Sequence, residues 1–313
     1  MKRAFGFLLM SAIIIAACTS KNGEGRSENA AEETQSPALP VDFERAVPPV
    51  MVTEPHDYLI AHFWDKFDFT DTMYCHVPNI TEQAFVDFIG LFPRASSRIK
   101  ISEGVKKMLT SAEVDNVMYN YFCSTAEHYL YDPNSPMRND EYYTPFVEHI
   151  VESSKVADDH KIRFRYLLDL LYRNRTGSKA EDFVYTMASG KTGNLYSLSA
   201  KYLLLMFYNP DCTECRHTME MLKNSTAVAD AVSSGRLKVL AVYPDKNLEA
   251  WKMHLKDIPS SWINAYDKSQ AIRNNEIYDL KAIPTLYLLD RDKKVILKDT
   301  STGDIHGYLE RSR

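Results

Sequence analysis

Lys201-Tyr202-Leu203-Leu204-Leu205-Met206-Phe207-Tyr208-Asn209-Pro210-Asp211-Cys212-Thr213-Glu214-Cys215 is the stretch that decides the fold of this chain. Residues 201–208 are a continuous apolar run of strand length, the pattern of a strand covered on both faces of its sheet. Asn209 and Pro210 break the run. An amphipathic helix follows the cysteines, with Met219 and Leu222 on its apolar side. Two cysteines three positions apart at the start of a helix are close enough to close a small disulfide, and the partial positive charge of the helix N-terminus stabilises a thiolate there. Cys212 is the outer member. Cys215, one turn inward, is placed to attack a mixed disulfide formed at Cys212.

Outward from this motif the chain alternates strands and helices. Residues 183–198, with Gly190 and Gly193, read as a hairpin before it. After it come a strand at 237–243, a helix at 248–255, an apolar run at 285–289 and a strand at 295–298, the last two joined by a charged turn. This is an α/β pattern around a buried sheet. Pro284 stands at the entrance of the 285–289 run, where proline is tolerated and where an X-Pro bond makes a cis peptide cheap. An ordinary trans-proline strand cap fits the same residues. The cysteine pair also has competing readings. A metal site would need two further ligands, for which His217 and His254 are the candidates, and no second cysteine pair accompanies them. A purely structural disulfide in so short a loop would be strained and easily reduced. Redox use is the reading that the strand–turn–helix context favours.

The 313 residues suffice for two domains. With 45% hydrophobic and 25% charged residues the composition is that of a globular protein, and a net charge of -5 gives no basic surface for nucleic acid. Residues 1–18 read as a secretory signal: Lys2 and Arg3, an apolar run from Phe5 to Ile15, then small residues before Cys18. The ending Ile15-Ala16-Ala17-Cys18 resembles the bacterial lipobox, which implies lipidation at Cys18 and attachment to a membrane surface. A simple cleaved signal with an incidental cysteine is the alternative. Residues 19–49, rich in Ser, Glu, Asn, Ala and Pro, read as a flexible tether.

Residues 50–176 carry helical stripes and form a helical domain; residues 177–313 form the α/β domain. One stripe, capped by Thr81, runs through Phe85, Phe88, Ile89 and Phe92. A second holds Val114, Val117, Met118, Tyr121, Phe122 and Tyr129, and a third Ile162, Tyr166, Leu167, Leu170 and Leu171. The aromatic cluster Phe63, Trp64, Phe67 and Phe69 reads as core. Cys123 lies in a helical stripe and reads as a small buried hydrophobe. Export would also permit a disulfide with Cys75, which sequence separation does not decide.

Together the dithiol and Pro284 resemble the thioredoxin family, and most closely the anchored TlpA/ResA-like thiol-disulfide oxidoreductases. The resemblance implies an α/β thioredoxin fold, with a central mixed sheet flanked by helices, and the helical stripes ahead of it read as a separate N-terminal all-α domain of four to six helices. It implies that Pro284 is cis and packs against the cysteine pair, and that Ile283 offers backbone hydrogen bonds to the substrate chain. It further implies nucleophilic exchange at Cys212 and Cys215 with no cofactor and no metal, acting on a protein disulfide and recharged by an upstream redox partner. The helical part, through residues 63–69, resembles uncharacterised domains that precede thioredoxin-like domains in lipoproteins of Bacteroidetes-type bacteria. No activity comes with that second resemblance.

Asp211 stands where the family commonly has tryptophan, Thr213 and Glu214 where proline or glycine is frequent, and Thr218 where several relatives carry glutamate. Negative charge at Asp211 and Glu214 opposes the helix-end effect, which predicts a reductant or exchanger rather than a strong oxidant. His217 is a candidate for proton transfer, or a residue of a solvated helix face. The expected function is a membrane-anchored extracytoplasmic thiol-disulfide oxidoreductase, periplasmic or on the outer membrane. The alternative is a non-catalytic binding lipoprotein that uses the thioredoxin fold as scaffold. A peroxide reductase is disfavoured, because a peroxidatic cysteine in a Thr/Pro-rich loop is absent.

Overall fold

Six helices precede the first strand in the computed structural model, which describes residues 40–313: α1 (Pro55–His62), α2 (Pro78–Ile89), α3 (Arg98–Ala112), α4 (Asn116–Leu130), α5 (Asp140–Glu152) and α6 (Asp158–Tyr172). Cys18 and the lipobox reading lie outside the described residues. Phe85, Phe88, Phe92, Phe122 and Phe146 are fully buried between these helices, with Phe63, Trp64, Phe67 and Phe69 packed beside them. Close approach is built in at Gly104 of α3, where a Cβ would fall on the Ile60 side chain of α1.

Several stripes differ from their sequence reading. Thr81 does not cap α2; it lies inside the helix, buried, and its hydroxyl donates to the Tyr74 carbonyl at 2.8 Å. Pro78 starts that helix instead, as proline at a first helical position can. On α4 Met118 and Phe122 are buried but Val117 is exposed, as is Val114 before the helix. Asp115 caps α4 by accepting the Val117 and Met118 N–H groups at 2.7 and 3.2 Å. On α6 Leu167, Leu170 and Leu171 are buried while Ile162 and Tyr166 face solvent. The tether reading also ends early, because Phe43 is buried, stacked on Trp64 with centroids 5.5 Å apart and edge-on to Phe67 at 5.0 Å. Covering one aromatic ring is worth about 2 kcal/mol, enough to hold a short segment against the helices. Cys75 and Cys123 are free thiols.

The C-terminal part is a seven-stranded mixed sheet in the order β2-β1-β5-β4-β3-β6-β7. Its strands are β1 (Val184–Met187), β2 (Thr192–Asn194), β3 (Tyr202–Phe207), β4 (Leu237–Tyr243), β5 (Ile263–Tyr266), β6 (Thr285–Asp290) and β7 (Val295–Lys298). Every residue of β3 is buried, as its unbroken apolar sequence requires. It pairs parallel to β4 and antiparallel to β6, with Phe207 opposite Val242 and Thr285. Helices α7 (Thr213–Asn224), α8 (Thr226–Ser233), α9 (Leu248–Met253), α10 (Ala271–Asn274) and α11 (Thr302–Arg311) complete the domain. The helix read at 248–255 ends at Met253, and a single 3-10 turn, Leu255–Asp257, follows His254.

A cluster of withdrawn charges joins the helical part to the sheet. Asp140, the first residue of α5, meets Lys281 and, at 3.2 Å, Lys298, with side-chain exposures of 4%, 9% and 3%. Lys281 also lies 3.3 Å from Asp279, and Arg138 pairs with Asp299 at 2.9 Å. Lys298 in turn donates to the carbonyls of Leu171 and Arg173 at the end of α6, at 3.2 and 3.0 Å.

Candidate dithiol site

β3 delivers the chain to the site. Beyond it the Asn209 side-chain oxygen accepts the Asp211 N–H at 3.0 Å and the Asn209 carbonyl accepts the Cys212 N–H at 3.1 Å, which turns the backbone into α7. Cys212 is the N-cap of that helix, and its sulfur accepts the Cys215 N–H at 3.3 Å. A sulfur in this position receives one of the free N–H groups of the first helical turn. Cys212 is half-buried, and its thiol also reaches the Ile283 carbonyl at 3.6 Å.

Cys215 is different. It is fully buried, and its sulfur accepts the Asn209 N–H at 3.4 Å. Burial pushes its thiol well above the ordinary range despite that hydrogen bond, and Cys212 and Glu214 add to the shift. The two sulfurs thus have separate environments, one open and helix-capped, the other sealed behind it.

Ile283 and Pro284 lie next to the pair, and the bond between them is cis. The register that sets Phe207 opposite Thr285 brings this loop beside the residues leaving β3. Asp211 and Glu214 are exposed, and His254 stands 3.7 Å from Asp211 while pairing with Asp257 at 2.7 Å. His217 is exposed on α7 and faces a groove alongside Ile283 and Pro284. Among the described residues no three His, Cys, Asp or Glu side chains are grouped as a metal site would require.

Sequence reasoning missed what supports the site from below. Tyr208 donates its hydroxyl to the Asn264 side-chain oxygen at 2.8 Å, and the indole N–H of buried Trp251 reaches both the Tyr208 hydroxyl and that oxygen at 3.1 Å. These three residues fix the end of β3 where it becomes the cysteine loop. A buried tryptophan with a satisfied N–H is a common anchor, but its partners are far apart in sequence.

A strand running into a capped Cys-x-x-Cys helix, with a cis-proline beside it, defines a thioredoxin-like domain, and residues 200–295 match the thioredoxin-like family. The chain as a whole belongs to the family of proteins carrying the domain of unknown function DUF5106, which matches residues 16–174, here followed by that thioredoxin-like domain. A thioredoxin-like protein from Bacteroides caccae is 41% identical in sequence and superposes with a TM-score of 0.83, over 88% of this chain and 100% of that one. The thiol-disulfide oxidoreductase ResA of Bacillus cereus is 26% identical over 138 residues, 43% of this chain and 77% of the relative. The probable nucleoredoxin 3 of Oryza sativa subsp. japonica is 28% identical over 143 residues, 45% of this chain and 29% of the relative. The C-terminal domain is accordingly related to thiol-disulfide oxidoreductases.

Proposed function

We propose that the protein is a lipid-anchored, extracytoplasmic thiol-disulfide oxidoreductase that reduces or exchanges disulfides in other proteins. The observation that carries this reading is the asymmetry of the dithiol: a half-exposed Cys212 sulfur held by a helix N–H, and a Cys215 sulfur sealed behind it. In the first step the Cys212 thiolate attacks one sulfur of a substrate disulfide. A Cys212–substrate disulfide forms, the substrate bond breaks, and one substrate thiolate departs. That thiolate takes the Cys215 proton, and the new Cys215 thiolate attacks the Cys212 sulfur. The second substrate thiolate leaves and is protonated by water. Two electrons have moved to the substrate, and Cys212 and Cys215 are left as a disulfide for a dithiol redox partner to reduce.

Ile283 is the residue that would face the substrate backbone, on the strength of its place between the Cys212 sulfur and Pro284. His217, exposed beside that loop, would relay the proton that water supplies to the second departing thiolate, and has no part in deprotonating Cys215. Attachment through Cys18 is supported by the signal-like residues 1–18 and their lipobox ending. The test uses the full chain with Cys18→Ser and dithiothreitol as reductant. Cys212→Ser should abolish reduction of a protein disulfide, and Cys215→Ser should accumulate a mixed disulfide. Full activity of Cys212→Ser would overturn the assignment. Cys18→Ser should separately release the protein from the membrane fraction of cells.

A further inference from the structure

A groove of about 500 Å³ runs from the dithiol loop toward the helical part, within the range of roughly 300–1,000 Å³ in which pockets hold ligands of substantial size. One side is thioredoxin-like: His217 and Met221 of α7, with Ile283 and Pro284 of the loop in contact with Cys212. The other side belongs to the helical part, where Pro133, Asn134 and Arg138 come from the connection between α4 and α5. We propose that this connection is a specificity wall: it receives the extended polypeptide segment that flanks the cysteine of the substrate disulfide, and it selects neutral or basic segments over acidic ones. This rests on the oxidoreductase reading above and assigns the helical part a share in choosing its substrate.

Three observations carry the proposal. Ile283, whose carbonyl the Cys212 thiol touches, also lines the groove, so a chain bonded to Cys212 has the groove as an adjacent surface. The wall is held in place. Arg138 donates to the Pro133 carbonyl and pairs with Asp299, while the Asp132 side chain accepts the Asn134 N–H at 2.8 Å and the Ser135 hydroxyl donates to the Tyr129 carbonyl at 2.6 Å. The charge pattern sets the occupant. Among the described lining residues Arg138 is the one permanent cation and Asp299 already neutralises it, while Glu214 is exposed at the dithiol end. A small anionic disulfide such as that of glutathione would find no uncommitted cation there, whereas the N–H groups of a peptide backbone find the hydroxyl oxygens of Thr300, Ser301 and Thr302 as acceptors, their own O–H groups being turned to Asp304 and Met221.

The experiment uses the full chain with Cys18→Ser and the variant Asn134→Trp, which fills the groove from an exposed position. Its probes are bis(2-hydroxyethyl) disulfide and three synthetic peptides, each with one cysteine disulfide-bonded to 2-mercaptoethanol and flanked by neutral, lysine or glutamate residues. The unaltered groove should give a lower KM for the neutral and lysine peptides than for the glutamate peptide. Asn134→Trp should raise the KM of the two preferred peptides about tenfold while leaving the small-disulfide rate within about twofold, a split that a general folding defect does not produce. Equal losses on peptide and small disulfide, or no change on the peptides, would overturn the wall. An unaltered chain inactive on the small disulfide would remove the oxidoreductase reading itself, and this inference with it.

Discussion

Asp140 at the start of α5 and Lys281, two residues before Ile283, are hydrogen-bonded to each other with both side chains almost wholly withdrawn from water. A helix of one part of the chain therefore grips the loop that borders the dithiol in the other. Breaking such a pair from one side leaves an uncompensated charge, which costs about 3–5 kcal/mol. Asp140→Asn, which leaves Lys281 with Asp279 and Asp299 and Lys298 with backbone carbonyls alone, is expected to fall at the lower end of that range in urea denaturation. The double change Asp140→Leu with Lys281→Met, which removes both charges of the pair, is expected to cost less.

The same cluster sets a pH dependence. Burial alone would raise the Asp140 carboxyl, but the charges of Lys281 and Lys298 and their hydrogen bonds outweigh it and hold the group below its ordinary value of 3.8. A depressed carboxyl stabilises the fold above that ordinary value, and the contribution is lost as pH falls below it. Asp299 is the opposite case: burial outweighs Arg138 and Lys281, with Asp140 adding repulsion, and its carboxyl is raised. Its protonated form favours the fold, so that contribution fades as pH rises through the raised value. Denaturation midpoints measured from about pH 6 down to pH 2 should therefore fall less steeply in Asp140→Asn than in the unaltered chain, and more steeply in Asp299→Asn.

Alkylation should single out one sulfur. Burial pushes Cys123 up to about 12, and it raises Cys75 and Cys215 as well. At neutral pH these three are overwhelmingly neutral thiols, and the thiolate is the reactive form. Iodoacetamide applied to the reduced full chain carrying Cys18→Ser is expected to modify Cys212 first, read by peptide mass spectrometry. Rapid labelling of Cys215 would contradict its sealed position.

Asn264 should matter more than the tyrosine it serves. Tyr208→Phe leaves the Trp251 indole its second acceptor and is expected to cost about 1 kcal/mol, the net worth of one hydrogen bond. Asn264→Ala strips the acceptor from the Tyr208 hydroxyl and removes one of two from the indole. Its cost should reach about 2–3 kcal/mol, with a shift in tryptophan fluorescence.

Phe43→Ala is expected to destabilise the chain by about 3 kcal/mol through loss of its contacts with Trp64 and Phe67. Limited proteolysis should then cut near residue 43 at a lower protease concentration.

The dithiol half of the molecule was legible because its signals are local. An apolar run flanked by a break marks β3, and an X-Pro before another run marks β6; both are short-range patterns that the sheet then joins. β5 escaped notice because only Ala265 of its four residues is fully buried, and α11 because its stripe rests mainly on Ile305 and Leu309. Periodicity also located α4 and α6 without saying how wide a face would be covered, so Val117, Ile162 and Tyr166 were placed on stripes that end short of them. Asp140, Lys281 and Asn264 left no trace at all. Their partners are brought together only by the finished fold, and a lone charged or amide residue in sequence looks like any solvated one.

The charge cluster also bears on how these two parts of the chain could be rearranged. A C-terminal fragment beginning at residue 177 would carry Lys281 and Lys298 without Asp140, and Asp299 without Arg138. Grafting that fragment behind a different helical module would leave Lys281 to Asp279 and Asp299, and Lys298 without an acid, unless the newcomer presents an acid and a base at matching points. The thioredoxin-like part is thus not a freely portable cartridge, and a chimera that ignores positions 138 and 140 should disturb the very loop that carries Ile283 and Pro284.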